Sequence, residues 1–306
     1  MNMGGYLIQD ERIKTGIDRR GVIQKIVLVF VLGYGLHYFG YFIRVRYYNW
    51  IDTLSIGEGT AHAAMYLGHS VFLIVMLLYA LAVVRDRKYI LAFTHGKFSR
   101  NLKFALIGAA VGFTQMAICV FSASTHGDLV IKAASGMTAP LILFSLFAVF
   151  LQASVEEIES RGFVFGKMYS EGVPLVPAII VSAFYFGYLH AANPGFTVFA
   201  LISIMAVGVE YAVTYYYFGT IWFTCLQHMM WNYTQDFIFG LPDSGKLPAV
   251  SFFASEANGS SFFYDMEFGI EGGGMAVLMN LVTCAIIILI GRKIRSRALN
   301  TDNPAN

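Results

Sequence analysis

Long apolar stretches recur along this sequence and determine what it can fold into. Eight of them approach or exceed the roughly 20 residues that a membrane-spanning helix needs. They lie at about 25–42, 62–84, 104–121, 137–155, 175–190, 196–218, 220–239 and 275–290. A helix satisfies its backbone polar groups along its own length, as a bilayer requires. With 57% hydrophobic and 13% charged residues, the sequence predicts an all-α polytopic membrane protein with about eight transmembrane helices, forming one integral membrane domain over residues 1–306.

Basic residues between the stretches indicate the orientation of the chain. Residues 85–103 carry six lysines and arginines, and the positive-inside rule places such a segment in the cytoplasm. The polar start at 1–24 and the end of the chain after 290 are also basic, so both termini are predicted to be cytoplasmic, at the plasma membrane. Segments 122–136 and 240–274 hold one basic residue each, Lys132 and Lys246, and are predicted to lie outside.

Charge and cysteine content exclude two classes of function. A formal net charge of +2, with no basic patch, gives no reason to expect nucleic acid as a partner. Cys119, Cys225 and Cys284 lie in three different apolar stretches without the spacing of a disulfide framework or a CxxC metal site. No feature of the sequence indicates an oligomeric state.

An acidic pair interrupts the fourth stretch, where charge is costly. Glu156 and Glu157 are followed by Arg161, in a helix predicted to continue to about Tyr169. Residues four apart share a helix face, so Glu157 can pair with Arg161 and leave Glu156 free. Ionisable groups at bilayer depth usually mark a functional site. Glu156 is therefore a candidate general base for activating water; the alternative is a charged turn at the membrane interface.

A histidine ends the fifth stretch, four residues after Phe186. If stretches four and five form an antiparallel hairpin that turns near Val173, Glu156 and His190 are equally far along the chain from the turn. The two side chains are then predicted to lie at the same depth. The alternative is that His190 is a hydrogen-bonded structural residue.

A third polar pair, His228 and Asn232, shares one face of the seventh stretch, with Asp236 a turn further on. These side chains could stabilise a tetrahedral oxyanion, or the histidine could bind a metal. The alternative is a polar clasp between helices. Glu210, a second intramembrane acid, is expected to bond to a neighbouring tyrosine or histidine; the alternative is that it partners a motif residue.

The three motifs resemble those of a known family. Glu156-Glu157-x-x-x-Arg161, Phe186-x-x-x-His190 and His228-x-x-x-Asn232 occur in this order, each in an apolar stretch. They are similar to the motifs of the CAAX protease and bacteriocin-processing (CPBP, or Abi) family of intramembrane endopeptidases, which includes the prenyl-protein endoprotease. The resemblance covers the predicted catalytic core at 137–240. Segments 240–245 and 268–273 also resemble bacterial members.

The resemblance implies hydrolysis of a peptide bond within the membrane. At the matching positions, Glu156 and His190 would activate the attacking water, and His228 and Asn232 would stabilise the oxyanion. Supporting roles fall to Glu157, Arg161 and Phe186. The family's metalloprotease label implies that Glu156, His190 and His228 could ligate zinc. The same groups could also act without metal, and the helical zinc signature HExxH is absent.

The implied partner is a membrane-associated peptide or protein, cut near its end by a site that opens to the cytoplasm. Prenylated tails, bacteriocin leaders, signalling peptides and anchor proteins are all candidate substrates. The rival interpretation is a membrane transporter or a non-catalytic membrane peptide-binding protein that uses the same polar residues. A transporter would more often show an internal repeat with paired broken helices, and the sequence shows none.

Overall fold

The computed structural model describes residues 19–301, with residues 295–301 described by their backbone alone. Residues 1–18 of the predicted cytoplasmic tail lie outside the described residues. The helices are α1 Arg19–Ile51, α2 Glu58–Leu67, α3 Ser70–Ala82, α4 Arg87–Ile90, α5 Phe98–His126, α6 Ala139–Glu157, α7 Gly166–Ser170, α8 Leu175–Leu189, α9 Val198–Phe218, α10 Trp222–Tyr233 and α11 Gly274–Thr301. The strands are β1 Leu129–Ala133 and β2 Phe253–Ala257. The predicted all-α polytopic fold is confirmed.

Each predicted stretch forms a helix, but the helices differ in length. Within residues 19–301, six helices are long and apolar enough to cross a membrane. They are Arg19–Ile51, Glu58–Ala82, Phe98–His126, Ala139–Ser170, Val198–Phe218 and Gly274–Ile294. The other two, α8 and α10, are shorter and carry the second and third motifs. The 15 residues of α8 span about 22 Å, less than the hydrocarbon core of a bilayer, so the second motif ends inside the molecule.

The helix that carries the acidic pair changes its geometry immediately after it. α6 passes directly into a π-helical stretch, Ile158–Phe165, and then into α7. All eight residues of the π-helical stretch are buried. The helix ends before Gly172, which has a positive φ of 94°, as predicted from the glycine and proline there. π-Helical turns are rare and are frequent at functional sites.

Close contact with α5 fixes the position of α10. A Cβ atom on Gly108 would lie 2.1 Å from the carbonyl oxygen of Phe223. One on Gly112 would lie 2.1 Å from that of Gln227. Small residues four apart allow two helix backbones to touch, as is common in membrane proteins. The third motif therefore rests on a helix whose backbone has little room to move.

The two strands identify one end of the molecule. β1 and β2 pair antiparallel, with Leu129 opposite Ala257 and Ala133 opposite Phe253. α5 runs from the basic segment at 85–103 to β1, and its 29 residues span about 43 Å. The paired strands therefore lie at the end opposite the basic segment. The pairing joins segments 122–136 and 240–274, which the sequence analysis predicts to lie on the same side of the membrane.

Candidate active site

The three motifs meet at a buried cavity. Its volume is about 50 Å³, enough for a few water molecules at roughly 10–15 Å³ each. Glu156, His190, His228 and Asn232 all line it, together with Phe186. The structure thus brings together the four side chains that the motifs single out. Their catalytic roles remain a prediction.

Glu156 presents one engaged and one unpartnered oxygen. Its Oε1 accepts a hydrogen bond from Nε2 of Gln152 at 2.7 Å and lies 3.6 Å from Nε2 of His69. Its Oε2 is buried with no hydrogen-bond partner among the described residues, and lies 3.9 Å from Nε2 of His228. That distance exceeds a direct hydrogen bond, and a water could bridge the two atoms only from beside the line that joins them. A carboxylate oxygen placed in this way is suited to act as a base.

Glu157 holds His228 from the other side of the ring. Its Oε1 accepts hydrogen bonds from Nη1 of Arg161 at 2.9 Å and from Nδ1 of His228 at 3.1 Å. Glu157 and Arg161 are both fully buried. Because a carboxylate only accepts, Nδ1 of His228 carries a proton and Nε2 is the nitrogen nearer Glu156. Glu157 therefore fixes the orientation of the His228 ring.

Aromatic rings enclose the Arg161 guanidinium. Its central carbon lies 4.2 Å from the ring centroid of Phe186 and 5.0 Å from that of Tyr211. Phe186 also meets His228 edge to face at 5.7 Å. Cation–π contacts partly compensate a desolvated charge. Phe186 thus connects the second motif to the other two.

His190 is fixed by a bond to its own helix. Its Nδ1 lies 2.8 Å from the carbonyl oxygen of Phe186, so Nδ1 donates and Nε2 stays free of that bond. The residue follows the last turn of α8, which places the ring in the cavity wall.

A glutamine that the sequence analysis overlooked links Asn232 to Glu156. Nδ2 of Asn232 donates to Oε1 of Gln152 at 3.1 Å, and Gln152 in turn donates to Glu156. Gln152 lies four residues before Glu156, so the two share a helix face. The sequence does indicate this contact, because Gln152 is a single polar residue in an apolar run, four residues before Glu156.

The segment after α10 closes the cavity on one side, and the motifs gave no indication of it. Asp243, Ser244, Lys246 and Glu271 line the cavity from this segment, residues 240–273, which we call the roof. Glu271 accepts hydrogen bonds from the backbone N–H and hydroxyl of Ser244, at 2.9 and 2.7 Å. The roof also contains β2. The roof therefore bounds the cavity on the side opposite the basic segment. That the site opens toward the cytoplasm remains a prediction.

Two glycines let the roof pack onto the turn that follows His190. A Cβ on Gly245 would lie 2.0 Å from the carbonyl oxygen of Pro194, and one on Gly195 would lie 2.4 Å from that of Glu267. Both glycines have positive φ, 80° and 70°, a conformation that other residues rarely adopt. This packing covers a non-helical turn that membrane lipid would not tolerate.

Glu210 lies outside the cavity lining. It accepts hydrogen bonds from Gln115 and Gln227, rather than from a tyrosine or histidine as predicted. The close approach of α5 and α10 brings these two glutamines together. The residue therefore belongs to a polar contact between helices.

One hydroxyl holds the roof to the helices. The Tyr66 hydroxyl lies 2.7 Å from Oδ2 of Asp236 and 2.5 Å from Oδ2 of Asp243. His62 contacts the same Asp236 oxygen at 2.6 Å. A hydroxyl has one proton to donate, so it satisfies only one of two ionised carboxylates. The second contact is favourable when one of the two acids is protonated.

We expect the thermal stability of the protein to fall as pH rises from about 4 to about 7. Burial raises the pKa of Asp243 to about 7, the charge of Glu271 adds to the rise, and the bond from Tyr66 opposes it. In the unfolded chain this acid releases its proton near pH 3.9. Within this pH window Asp243 binds its proton more fully in the folded state than in the unfolded chain. The stabilisation that this proton provides is therefore lost as the pH rises toward the pKa of Asp243 in the folded state.

The pH effect can be measured by the unfolding temperature at a series of pH values. In the Asp243→Asn variant position 243 is uncharged at every pH. We therefore expect its unfolding temperature to fall much less than that of the wild type between pH 5 and 8. Glu256→Gln is a matched control, because Glu256 is on the exposed strand pair with Lys132. An unchanged decline in Asp243→Asn would contradict the assignment.

The residues proposed as zinc ligands do not form a metal-binding set in this structure. Ligands about 2.0–2.2 Å from a tetrahedral zinc lie roughly 3.3 Å apart, whereas the nearest atoms of Glu156 and His228 are 3.9 Å apart. Among the described residues, no three His, Cys, Asp or Glu side chains have the geometry to hold a metal ion. The donor set of Glu156, His190 and His228 thus does not fit a bound ion, and we derive no step through one.

A protein-family model matches the segment that carries all three motifs. The match covers residues 138–234, and the family is described as Rce1-like, type II CAAX prenyl endopeptidase. It includes α6 to α10 and excludes the roof. Comparisons with curated proteins and with solved structures gave no significant match. The segment at 138–234 is therefore similar to the Rce1-like, type II CAAX prenyl endopeptidase family, which supports the resemblance that the motifs predict.

Proposed function

We propose that the protein is an intramembrane endopeptidase that cuts a membrane-associated peptide or protein. One observation carries the proposal: the unpartnered Oε2 of Glu156 faces Nε2 of His228 across a cavity with room for water. A buried carboxylate oxygen without a hydrogen-bond partner costs stability, and such an atom is more easily explained by a function than by the fold. The family match of the same segment adds independent support.

In the proposed reaction, Glu156 acts as the general base. A water molecule in the cavity that Glu156, His190 and His228 line gives a proton to Oε2 of Glu156 while its oxygen attacks the carbonyl carbon of the scissile peptide bond. The C–N bond then breaks, and the proton on Glu156 passes to the departing amine. Nε2 of His190, left free by the bond at Nδ1, orients the water.

His228 and Asn232 are proposed to stabilise the oxyanion. Carboxylates flank both nitrogens of His228, Glu157 at 3.1 Å and Glu156 at 3.9 Å, an arrangement that favours the doubly protonated ring. Its Nε2–H then faces the cavity as a donor. Asn232 uses one amide hydrogen on Gln152 and keeps the other for the substrate. Losing one such donor in other enzymes costs about 10²–10³ in rate.

The test is a comparison of peptide ends in the membrane proteome. Cells that carry the wild-type protein should show new chain ends that are absent from cells carrying His190→Ala. The family description makes prenylated protein ends the first substrates to examine; bacteriocin leaders, signalling peptides and anchor proteins follow. Identical chain ends in both strains would contradict peptidase activity and favour the transporter or peptide-binding alternative.

A further inference from the structure

A second cavity lies on the lateral face of the molecule. It occupies about 510 Å³ beside α1, the end of α8 and the turn after it; we call it the lateral groove. Five tyrosines line it: Tyr34, Tyr38, Tyr41, Tyr48 and Tyr188. Lys246 lines both the groove and the candidate active site. The two spaces therefore meet at one side chain of the roof.

Arg44 projects into the groove with part of its guanidinium unused. Nη1 contacts Nε2 of His69 at 2.7 Å, and the group lies 4.9 Å from the ring centroid of Phe72. Nε is buried and has no hydrogen-bond partner among the described residues. No carboxylate within residues 19–294 forms an ion pair with it. A charged donor left unsatisfied in this way is costly unless a ligand supplies the acceptor.

Lys246 is the second cation at this junction. Its side chain is exposed, and in the described part of the chain it forms no ion pair. The acidic residues nearest in the roof are engaged elsewhere, Asp243 with Tyr66 and Glu271 with Ser244. Two cations that form no ion pair among the described residues thus stand where the groove meets the active site.

We propose that Arg44 and Lys246 bind a carboxylate of the substrate chain, either its C-terminal group or an acidic side chain near its end. The Arg44 guanidinium lines the groove, and its planar donor arrangement matches the two oxygens of a carboxylate. Lys246 adds a mobile positive charge, and the tyrosines supply an amphipathic wall suited to the membrane interface. The inference assigns two residues that determine which chain the proposed peptidase selects, and it rests on that function.

The position of Arg44 relative to Glu156 supports the assignment. Arg44 contacts His69 at 2.7 Å, and His69 lies 3.6 Å from Glu156. Nδ1 of His69 is held by the Tyr66 carbonyl oxygen at 3.1 Å. One histidine thus separates the carboxylate subsite from the proposed base. A chain anchored at Arg44 presents to Glu156 a peptide bond within a few residues of its anchored carboxylate.

Direct binding measures this subsite without requiring turnover. The full chain, in lipid nanodiscs, is titrated with a fluorescent N-palmitoylated peptide that ends in a free carboxylate, and with the same peptide as a C-terminal amide. We expect the acid form to bind about tenfold more tightly, as for one charge-assisted contact. Arg44→Gln and Lys246→Gln should each reduce this preference. Arg44→Lys should retain part of it, since it keeps the charge but not the fork.

Arg46→Gln is the matched control, because Arg46 is on the same helix but is exposed and contacts the carbonyl oxygen and ring of Phe42. It should keep the wild-type preference. Equal affinity of the wild type for acid and amide would overturn the proposal, as would a preference that survives in the Arg44→Gln, Lys246→Gln double variant. Because Lys246 is exposed, its variant is expected to fold, which keeps the test decisive if Arg44 variants do not.

A third probe identifies the source of the carboxylate. This is the amide peptide with aspartate as its penultimate residue. If it binds as tightly as the acid form, an acidic side chain suffices; if it binds like the plain amide, the chain end is required, and both results support the subsite. A preference for the acid form with no cleavage of any probe would leave the subsite standing and contradict the peptidase proposal. Equal affinity for the acid and the amide, with cleavage of both, would support the peptidase proposal and contradict the carboxylate subsite.

Discussion

Replacing Glu156 with glutamine is expected to abolish peptide-bond hydrolysis while the protein still folds. Glutamine keeps the size of the side chain and an oxygen that can accept the bond from Gln152. It cannot take a proton from water, and general-base catalysis typically contributes 10²–10⁴ in rate. We therefore expect the initial rate of cleavage by the purified variant to fall at least about a hundredfold, with little change in its unfolding temperature.

Glu159→Gln is the matched control for this experiment. Glu159 is also buried, three residues further along the same helix, but bonds to Tyr185 and His37 and does not line the cavity. Its variant should retain most of the cleavage activity even if its stability falls. Proteolysis by purified Glu156→Gln at the wild-type rate would remove Glu156 from the mechanism.

Replacing Arg161 with methionine is expected to destabilise the protein strongly. The guanidinium and Glu157 are both fully buried and 2.9 Å apart. Removing one partner of a buried ion pair leaves an uncompensated charge and typically costs about 3–5 kcal/mol. Glu157 would also lose the contact that holds it against His228, so activity should fall with stability. Unfolding in detergent by a denaturant titration measures the first effect.

The double variant Glu157→Gln, Arg161→Met separates the two effects. Replacing both charges leaves no buried ion unpaired, so we expect much of the lost stability to return. Activity should not return, because Nδ1 of His228 then faces an amide instead of a carboxylate. Wild-type stability of the single Arg161→Met variant would show that the pair contributes little to the fold.

Sequence reasoning reached the helices and the motif residues for physical reasons. Hydrophobic runs of membrane length and loop charges are local properties, so the order of the spans can be read directly. The hairpin argument, which placed Glu156 and His190 at one depth, needed only the turn near Val173. The helix also ends close to that turn, as its glycine and proline predict.

The rest of the site depends on contacts between distant segments. The bond from Tyr66 to Asp243 and the contact of Arg44 with His69 join parts of the chain that no local pattern relates. The roof is polar and glycine-rich, typical of a loop, and only its packing shows that it closes the cavity. Gln152 is different, since its spacing from Glu156 made it predictable.

The π-helical stretch Ile158–Phe165 has a consequence for how this region can change. A π turn holds an additional residue per hydrogen-bonded ring, so it alters the helical phase of everything that follows. Deleting one residue between Glu157 and Arg161 would leave the hydropathy almost unchanged but would move Arg161 by about 100° around the helix axis relative to Glu157. In this segment single-residue deletions should therefore be more damaging than conservative substitutions at the same positions.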